Sequence, residues 1–205
     1  MNKQQQSEAY WVNAHDTHLA PAEFYQHKKN VLTNILEKLP PITHALDIGC
    51  GNGEFTSLLF SKAATIKGID ISPKLISIAN SKYGINDRVS FTCSSIDIIA
   101  EPEHYFDMIF CMGLTSCIIS DDKFHSLITN IKRLSAPPSY IVMGDSLSKG
   151  DDILLDHHDG YVAKYRDENS YLSKIESLDI KLVEERTISV NASETIINKL
   201  FLFRS

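Results

Sequence analysis

The sequence predicts a doubly wound α/β domain: a mostly parallel sheet with helices on both faces and a C-terminal antiparallel hairpin. Three observations predict it. Short apolar runs alternate with segments of helical period along the 205 residues, the rhythm of strand–helix units. Three glycines at alternate positions, Gly49-Cys50-Gly51-Asn52-Gly53, follow the first of these runs. That is where open α/β sheets turn and bind ligands near a helix N-terminus. Two strand-like segments close the chain without a helix between them, at residues 181–187 and 199–203.

Each element follows from local pattern. Residues 1–43 read as an arm and cap helix, and residues 44–205 as the domain, a single globular unit overall. After a polar lead, residues 22–39 form an amphipathic helix with Phe24, His27, Val31, Ile35 and Leu39 on one face. Pro40-Pro41 ends it. The first strand is 44–48 and a helix follows at 54–61. The second strand, 65–71, leads through Ser72-Pro73, a cap and first-turn pair, into a helix reaching Tyr83. Strands follow at 89–93 and 106–112. A helix at 122–134 stops before Pro137-Pro138, and 139–144 is the fifth strand. Residues 146–166 are polar, acidic and histidine-bearing with no clear period, and a helix at 168–178 precedes the hairpin.

The composition narrows the class. At 43% hydrophobic the chain suits one domain with a sizeable core. A net charge of −6 argues against a nucleic-acid footprint, which would be basic. No run of 18 apolar residues appears and the N-terminus is polar, so neither a membrane span nor a signal peptide is expected. Cys50, Cys93, Cys111 and Cys117 lack C-x-x-C spacing and read as reduced thiols in or beside buried strands of a cytoplasmic protein.

The glycine turn narrows the ligand. The dinucleotide fingerprint is G-x-G-x-x-G, but here the third glycine comes one residue early and Glu54 takes the later slot. A carboxylate there suits a pyrophosphate poorly. Asp47 and Glu54 together favour a ligand with a cationic part and hydroxyls. Asp70 ends the second strand, about twenty residues past the turn, where such folds place an acid on ribose hydroxyls. The alternative role for Asp70, capping the next helix, is already filled by Ser72.

Through Ala45-Leu46-Asp47-Ile48-Gly49-Cys50-Gly51-Asn52-Gly53 the chain resembles the class I S-adenosylmethionine-dependent methyltransferases, whose first motif runs apolar-Asp-apolar-Gly-x-Gly-x-Gly. The resemblance covers roughly residues 45–203, with sharp motifs only in its first half. It implies a seven-stranded sheet with one antiparallel strand, and S-adenosyl-L-methionine as cofactor with S-adenosyl-L-homocysteine as product. The cofactor site it implies comprises Asp47, Gly49, Cys50, Gly51, Gly53, Asp70, Ile71, Ser95, Ile96, Cys111 and Met112. Ile71 would cover one adenine face. The acid that contacts the adenine amino group in the family aligns with Ser95, whereas Asp97 comes two residues later. Either Ser95 and the Ile96 backbone read the adenine, or the loop lets Asp97 reach it.

The family's chemistry is usually told by the end of the fourth strand. There is no [DN]-P-P-[YFW] sequence, the arrangement of DNA amino-group methylases, and no Pro-Cys pair for the covalent 5-methylcytosine route. No acid stands there to join Asp145 in binding magnesium, and no metal is expected. A hydroxyl acceptor would need a base, for which histidine suits neutral pH. His157 or His158, oriented by Asp156 or Asp159, is the candidate, with Trp11, Tyr161, Tyr165 and Arg166 lining an acceptor pocket. A solvated polar loop is the competing reading of that segment; a metal site fits it less well, because adjacent histidines rarely face one centre. The aromatic and histidine residues of 10–18 read as a lid over the cofactor or as an arm on the domain surface.

These readings predict methyl transfer to a small-molecule acceptor, a hydroxyl on a sugar or secondary metabolite, with neither nucleic acid nor membrane as partner and a monomer or homodimer as the assembly. An RNA or other N-methyltransferase is the alternative within enzymes, and a non-catalytic S-adenosylmethionine-binding regulatory protein the alternative of another class.

Overall fold

The structure, a computed structural model, describes residues 1–84, 87–156 and 160–205. Seven strands form one sheet: β1 (Ile42–Ile48), β2 (Ala63–Asp70), β3 (Val89–Cys93), β4 (Phe106–Met112), β5 (Ser135–Ser148), and, beyond a separate β6–β7 hairpin (Ile153–Asp156 and Val162–Tyr165), β8 (Lys181–Val190) and β9 (Ile196–Arg204). Their order is β3-β2-β1-β4-β5-β9-β8. The first five pair in parallel, and β9 runs antiparallel to both neighbours. This is the predicted doubly wound sheet with its terminal hairpin. The chain reverses direction of travel between β1 and β4, which opens a crevice beyond their C-terminal ends.

The central strands read as nearly unbroken apolar runs because both faces are covered. Alternate residues divide between two cores. Leu46, Ile109, Cys111, Ile141 and Phe201 face α4 (Asp121–Leu134) and α5 (Glu168–Glu176), meeting Leu127, Ile131 and Tyr171. Ala45, Met108, Phe110, Val142 and Leu200 face α2 (Ala22–Glu37) and α3 (Pro73–Tyr83), meeting Leu32, Ile35, Ile76 and Ala79. The helix α4 forms as its sequence directs. Ser120 caps it, Asp121 and Asp122 occupy the first turn, Lys132 and Arg133 the last, and Phe124, Leu127, Ile128, Ile131 and Leu134 make one buried stripe.

Four local expectations are corrected. Helix α1 (Lys3–Asn13) lies within the expected polar lead. It has an Asn2–Gln5 capping box but only Ser7 buried, so apolar periodicity could not reveal it. Residues 54–61 form a short 3₁₀ turn, Thr56–Leu59, in place of an α-helix. There the Ser57 hydroxyl donates to the Glu54 carbonyl at 2.7 Å, a bond that competes with α-helical pairing, and the Thr56 hydroxyl donates to Asp47 at 2.5 Å. The buried face of α2 carries Lys28, Leu32, Ile35 and Leu36, rotated from the expected one. The aperiodic segment contains the β6–β7 hairpin.

Candidate functional site

A cavity of about 530 Å³ opens at the C-terminal ends of β1, β2 and β4. Its floor is the glycine turn. Gly49, Gly51 and Gly53 have φ of +71°, +54° and +80°, the left-handed region that favours glycine. At Gly51 the space is filled as well: a Cβ there would stand 2.7 Å from the Thr17 methyl, which folds over the turn.

Two carboxylates border this floor. Asp70 accepts from the Gly51 N–H at 2.9 Å and the Ser72 N–H at 2.8 Å, so it ties the glycine turn to the start of α3. Burial raises its pKa, and those backbone donors oppose the rise. Asp47 is 1% exposed; one oxygen accepts from Thr56, and the other, Oδ1, is buried without a partner among the described residues. Burial pushes its pKa up to about 7, with the Thr56 hydrogen bond opposing. A buried, half-satisfied carboxylate beside a glycine cradle suits a ligand that brings a cationic or donor group.

The expected cofactor residues divide cleanly. Asp47, Gly49, Cys50, Gly51, Asp70 and Ile71 line the cavity, and so do Ser95, Ile96 and Met112. Two do not, and are corrected. Cys111 is fully buried in the α4-side core, because strand alternation points it away from Met112. Gly53 faces Tyr83 and Phe91, where a Cβ would meet Tyr83 at 2.9 Å; it lets the turn pack against α3 and β3. Glu54 borders the cavity but is ion-paired with Lys29 and hydrogen-bonded to the His18 ring at 2.5 Å. Asp97 also lines the cavity, with its carboxylate accepting from Ser126 at 3.1 Å and Asn130 at 3.4 Å on α4.

The roof comes from the N-terminal segment. Gln4 Oε1 accepts from the N–H groups of Ile119 and Ser120 at 2.8 and 2.9 Å, and the Ser7 hydroxyl donates to the Cys117 carbonyl at 2.6 Å. Trp11 meets Tyr161 edge-on at 5.9 Å, Tyr10 completes the cluster, and Trp11, Tyr161 and Tyr165 all line the cavity. S-adenosylhomocysteine is therefore expected to change the emission of Trp11, the single tryptophan. An emission spectrum unchanged at saturating ligand, with binding verified by calorimetry, would show that the roof does not respond.

Arg166 is corrected. Its guanidinium donates to the carbonyls of Thr115 at 2.9 Å and Ile118 at 2.8 Å, pairs with Asp121 and lies over the Phe124 ring. This planar fork clamps the loop after β4 and does not line the cavity. His157, His158 and Asp159 lie outside the described residues. Asp156, which ends β6, pairs with Lys3 and Gln6 of α1. Sequence reasoning missed Lys28, Ser146 and Asn198, which line the cavity from α2, β5 and β9. For Lys28 the signal was a lysine four residues from both Phe24 and Leu32, on an otherwise apolar stripe.

Comparison with known proteins finds likenesses of sequence and of fold. Residues 45–138 match the family model described as a methyltransferase domain. A ubiquinone biosynthesis O-methyltransferase of Coxiella burnetii is 33% identical over 72 residues, 35% of this chain and 31% of the relative; the match thus spans about a third of that protein's length. Among solved structures, a SAM-dependent methyltransferase from Leishmania major superposes with a TM-score of 0.80 at 16% identity, covering 98% of this chain and 83% of that one. The N-methyltransferase NodS from Bradyrhizobium japonicum, in complex with S-adenosyl-L-homocysteine, superposes with a TM-score of 0.77 at 20% identity over 100% and 99%.

Proposed function

We propose that this chain, a class I S-adenosylmethionine-dependent methyltransferase by fold and by its matched domain, transfers a methyl group to a hydroxyl of a small molecule held under the α1 roof. The observation that carries the reading is the half-satisfied, buried Asp47 beside three left-handed glycines and Asp70, in a roofed cavity at the β1–β4 crevice. The chemistry of that residue set fits the cofactor. Asp70 receives the ribose hydroxyls, Ile71 packs on the adenine, Ser95 and the Ile96 backbone read its edge, and Asp47 meets the cationic end. The engagement of Asp97 by Ser126 and Asn130 supports the choice of Ser95.

When bound, S-adenosylmethionine supplies a methyl group on a cationic sulfur that departs with the S–C electron pair and needs no acid. The protein's task is alignment and exclusion of water. The glycine turn and Asp70 fix one reactant, while Trp11, Tyr161 and Tyr165 bound the space for the other. In this reading His157 or His158 takes the proton of the acceptor hydroxyl as the O–C bond forms.

Two experiments test this reading. Calorimetric titration is expected to show micromolar S-adenosylmethionine and S-adenosylhomocysteine binding and no NAD binding; the reverse pattern would overturn the cofactor assignment. Once an acceptor is found by screening, one of His157→Ala and His158→Ala is expected to lower kcat about 100-fold while leaving S-adenosylhomocysteine affinity intact. Full turnover in both variants would remove the histidine base and leave the methyltransferase reading standing. No helix among the described residues is long and apolar enough to cross a membrane.

A further inference from the structure

We propose that Lys28 binds an anionic oxygen of the methyl acceptor, a carboxylate or a phenolate. This rests on the reading of the cavity as a methyltransferase site and names the acceptor's chemical class. Lys28 projects from the inner face of α2 and is 4% exposed, yet lines the cavity. Its ammonium lies over the rings of Phe24 and Phe55, at 5.9 and 5.6 Å from their centroids. A buried ammonium has three donors to satisfy, and among the described residues only ring faces meet this one. Asp145 attracts it as well; that carboxylate accepts from the Ser116 N–H at 3.1 Å through one oxygen, keeps the other buried without a hydrogen-bond partner among the described residues, and lies outside ion-pair distance of Lys28. Burial accordingly draws the lysine's pKa down to about 8, against that attraction.

The space around Lys28 is made for it. A Cβ on Gly144 would stand 3.2 Å from its Cε, so the glycine leaves room for the lysine stem against β5. Two residues along the same strand face, a step of about 7 Å, Ser146 accepts from the Asn198 amide at 2.9 Å. The amide oxygen of Asn198 is buried with no hydrogen-bond partner among the described residues. One wall of the cavity thus offers a cation without a bonded counter-ion and, a strand repeat away, an unpaired acceptor between apolar surfaces.

An acidic acceptor satisfies both. Its anionic oxygen takes the Lys28 donors, and a hydroxyl elsewhere on it donates to Asn198. A neutral acceptor would leave the Lys28 ammonium with the attraction of Asp145 and the two ring faces alone.

The test uses the full chain saturated with S-adenosylhomocysteine and titrated by calorimetry with acetate, benzoate and 4-hydroxybenzoate. Wild type is expected to bind at least one of the aromatic acids. Lys28→Met, which replaces a buried cation with an apolar chain of similar length, is expected to lose that affinity at least tenfold while S-adenosylhomocysteine affinity stays within twofold. Lys28→Arg is expected to recover part of it. Equal binding by wild type and Lys28→Met overturns the proposal, as does no binding of any of the three acids to protein that does bind S-adenosylhomocysteine. Failure of wild type to bind S-adenosylhomocysteine overturns the cofactor reading first, and this proposal with it.

Discussion

Asp70→Ala is expected to weaken S-adenosylhomocysteine at least about 100-fold, the largest loss from any single side chain of the cavity. Two losses combine. The carboxylate offers the ligand's vicinal hydroxyls charge-assisted hydrogen bonds, each worth about 1.5–3 kcal/mol, and a tenfold change in affinity needs about 1.4 kcal/mol. It also ties the Gly51 and Ser72 N–H groups together, so its removal frees the glycine turn from α3. Asp70→Asn keeps a carbonyl for one of those donors and is expected to fall between alanine and wild type. Calorimetry on the three proteins decides it. An alanine variant binding within threefold of wild type would place the ribose elsewhere.

Asp47→Asn is expected to do two opposite things: to stabilise the ligand-free protein at pH 8 and to weaken the cofactor about tenfold or more. Burial raises the Asp47 pKa from the ordinary 3.8 to about 7. Between about pH 4 and pH 7 the native state therefore holds a proton that the unfolded chain has released, and stability falls as pH rises across that window. At about 1.4 kcal/mol per pKa unit the full penalty is on the order of 4 kcal/mol at pH 8. Asparagine carries no such penalty and still accepts from Thr56. Urea unfolding at pH 5 and pH 8 is expected to show a smaller pH difference for the variant than for wild type. A difference of the same size in both would mean that Asp47 is ionised without cost. The bound cofactor's cationic end removes the same penalty in wild type, which is why the variant is expected to bind less well.

The sheet was legible because its strands are buried on both faces, and continuous apolar runs such as 106–112 carry that signal in composition alone. The glycine turn was legible because left-handed backbone restricts residue choice at Gly49 and Gly51. What escaped has a common cause: its stability comes from distant partners. Helix α1 buries only Ser7 and is seated by bonds from Gln4 and Ser7 to the loop around Cys117 and Ser120. Arg166 looked like a pocket residue, but three carbonyls of that same loop and a neighbouring ring employ it as a clamp. Lys28 was hidden by a misjudged helix face: placing His27 and Val31 inward turned Lys28 outward, whereas the buried stripe runs through Lys28, Leu32, Ile35 and Leu36. Cys111 and Met112 show the limit of motif transfer along a strand, since adjacent residues point to opposite faces and only one of them reaches the cavity.

The roof has a consequence for the order in which the molecule comes into being. Residues 4 and 7 find their partners at residues 117, 119 and 120, and residue 3 finds its own at 156. During synthesis, the segment that covers the chamber emerges ahead of nearly everything it rests on. Its far end finds an early partner, the Ser72 hydroxyl donating to the Ala14 carbonyl at 3.0 Å, but the partners of residues 4 and 7 come only after more than half of the chain is made. The chamber is thus built open, and it closes only after the loop beyond β4 and the small β6–β7 hairpin exist to receive the first helix.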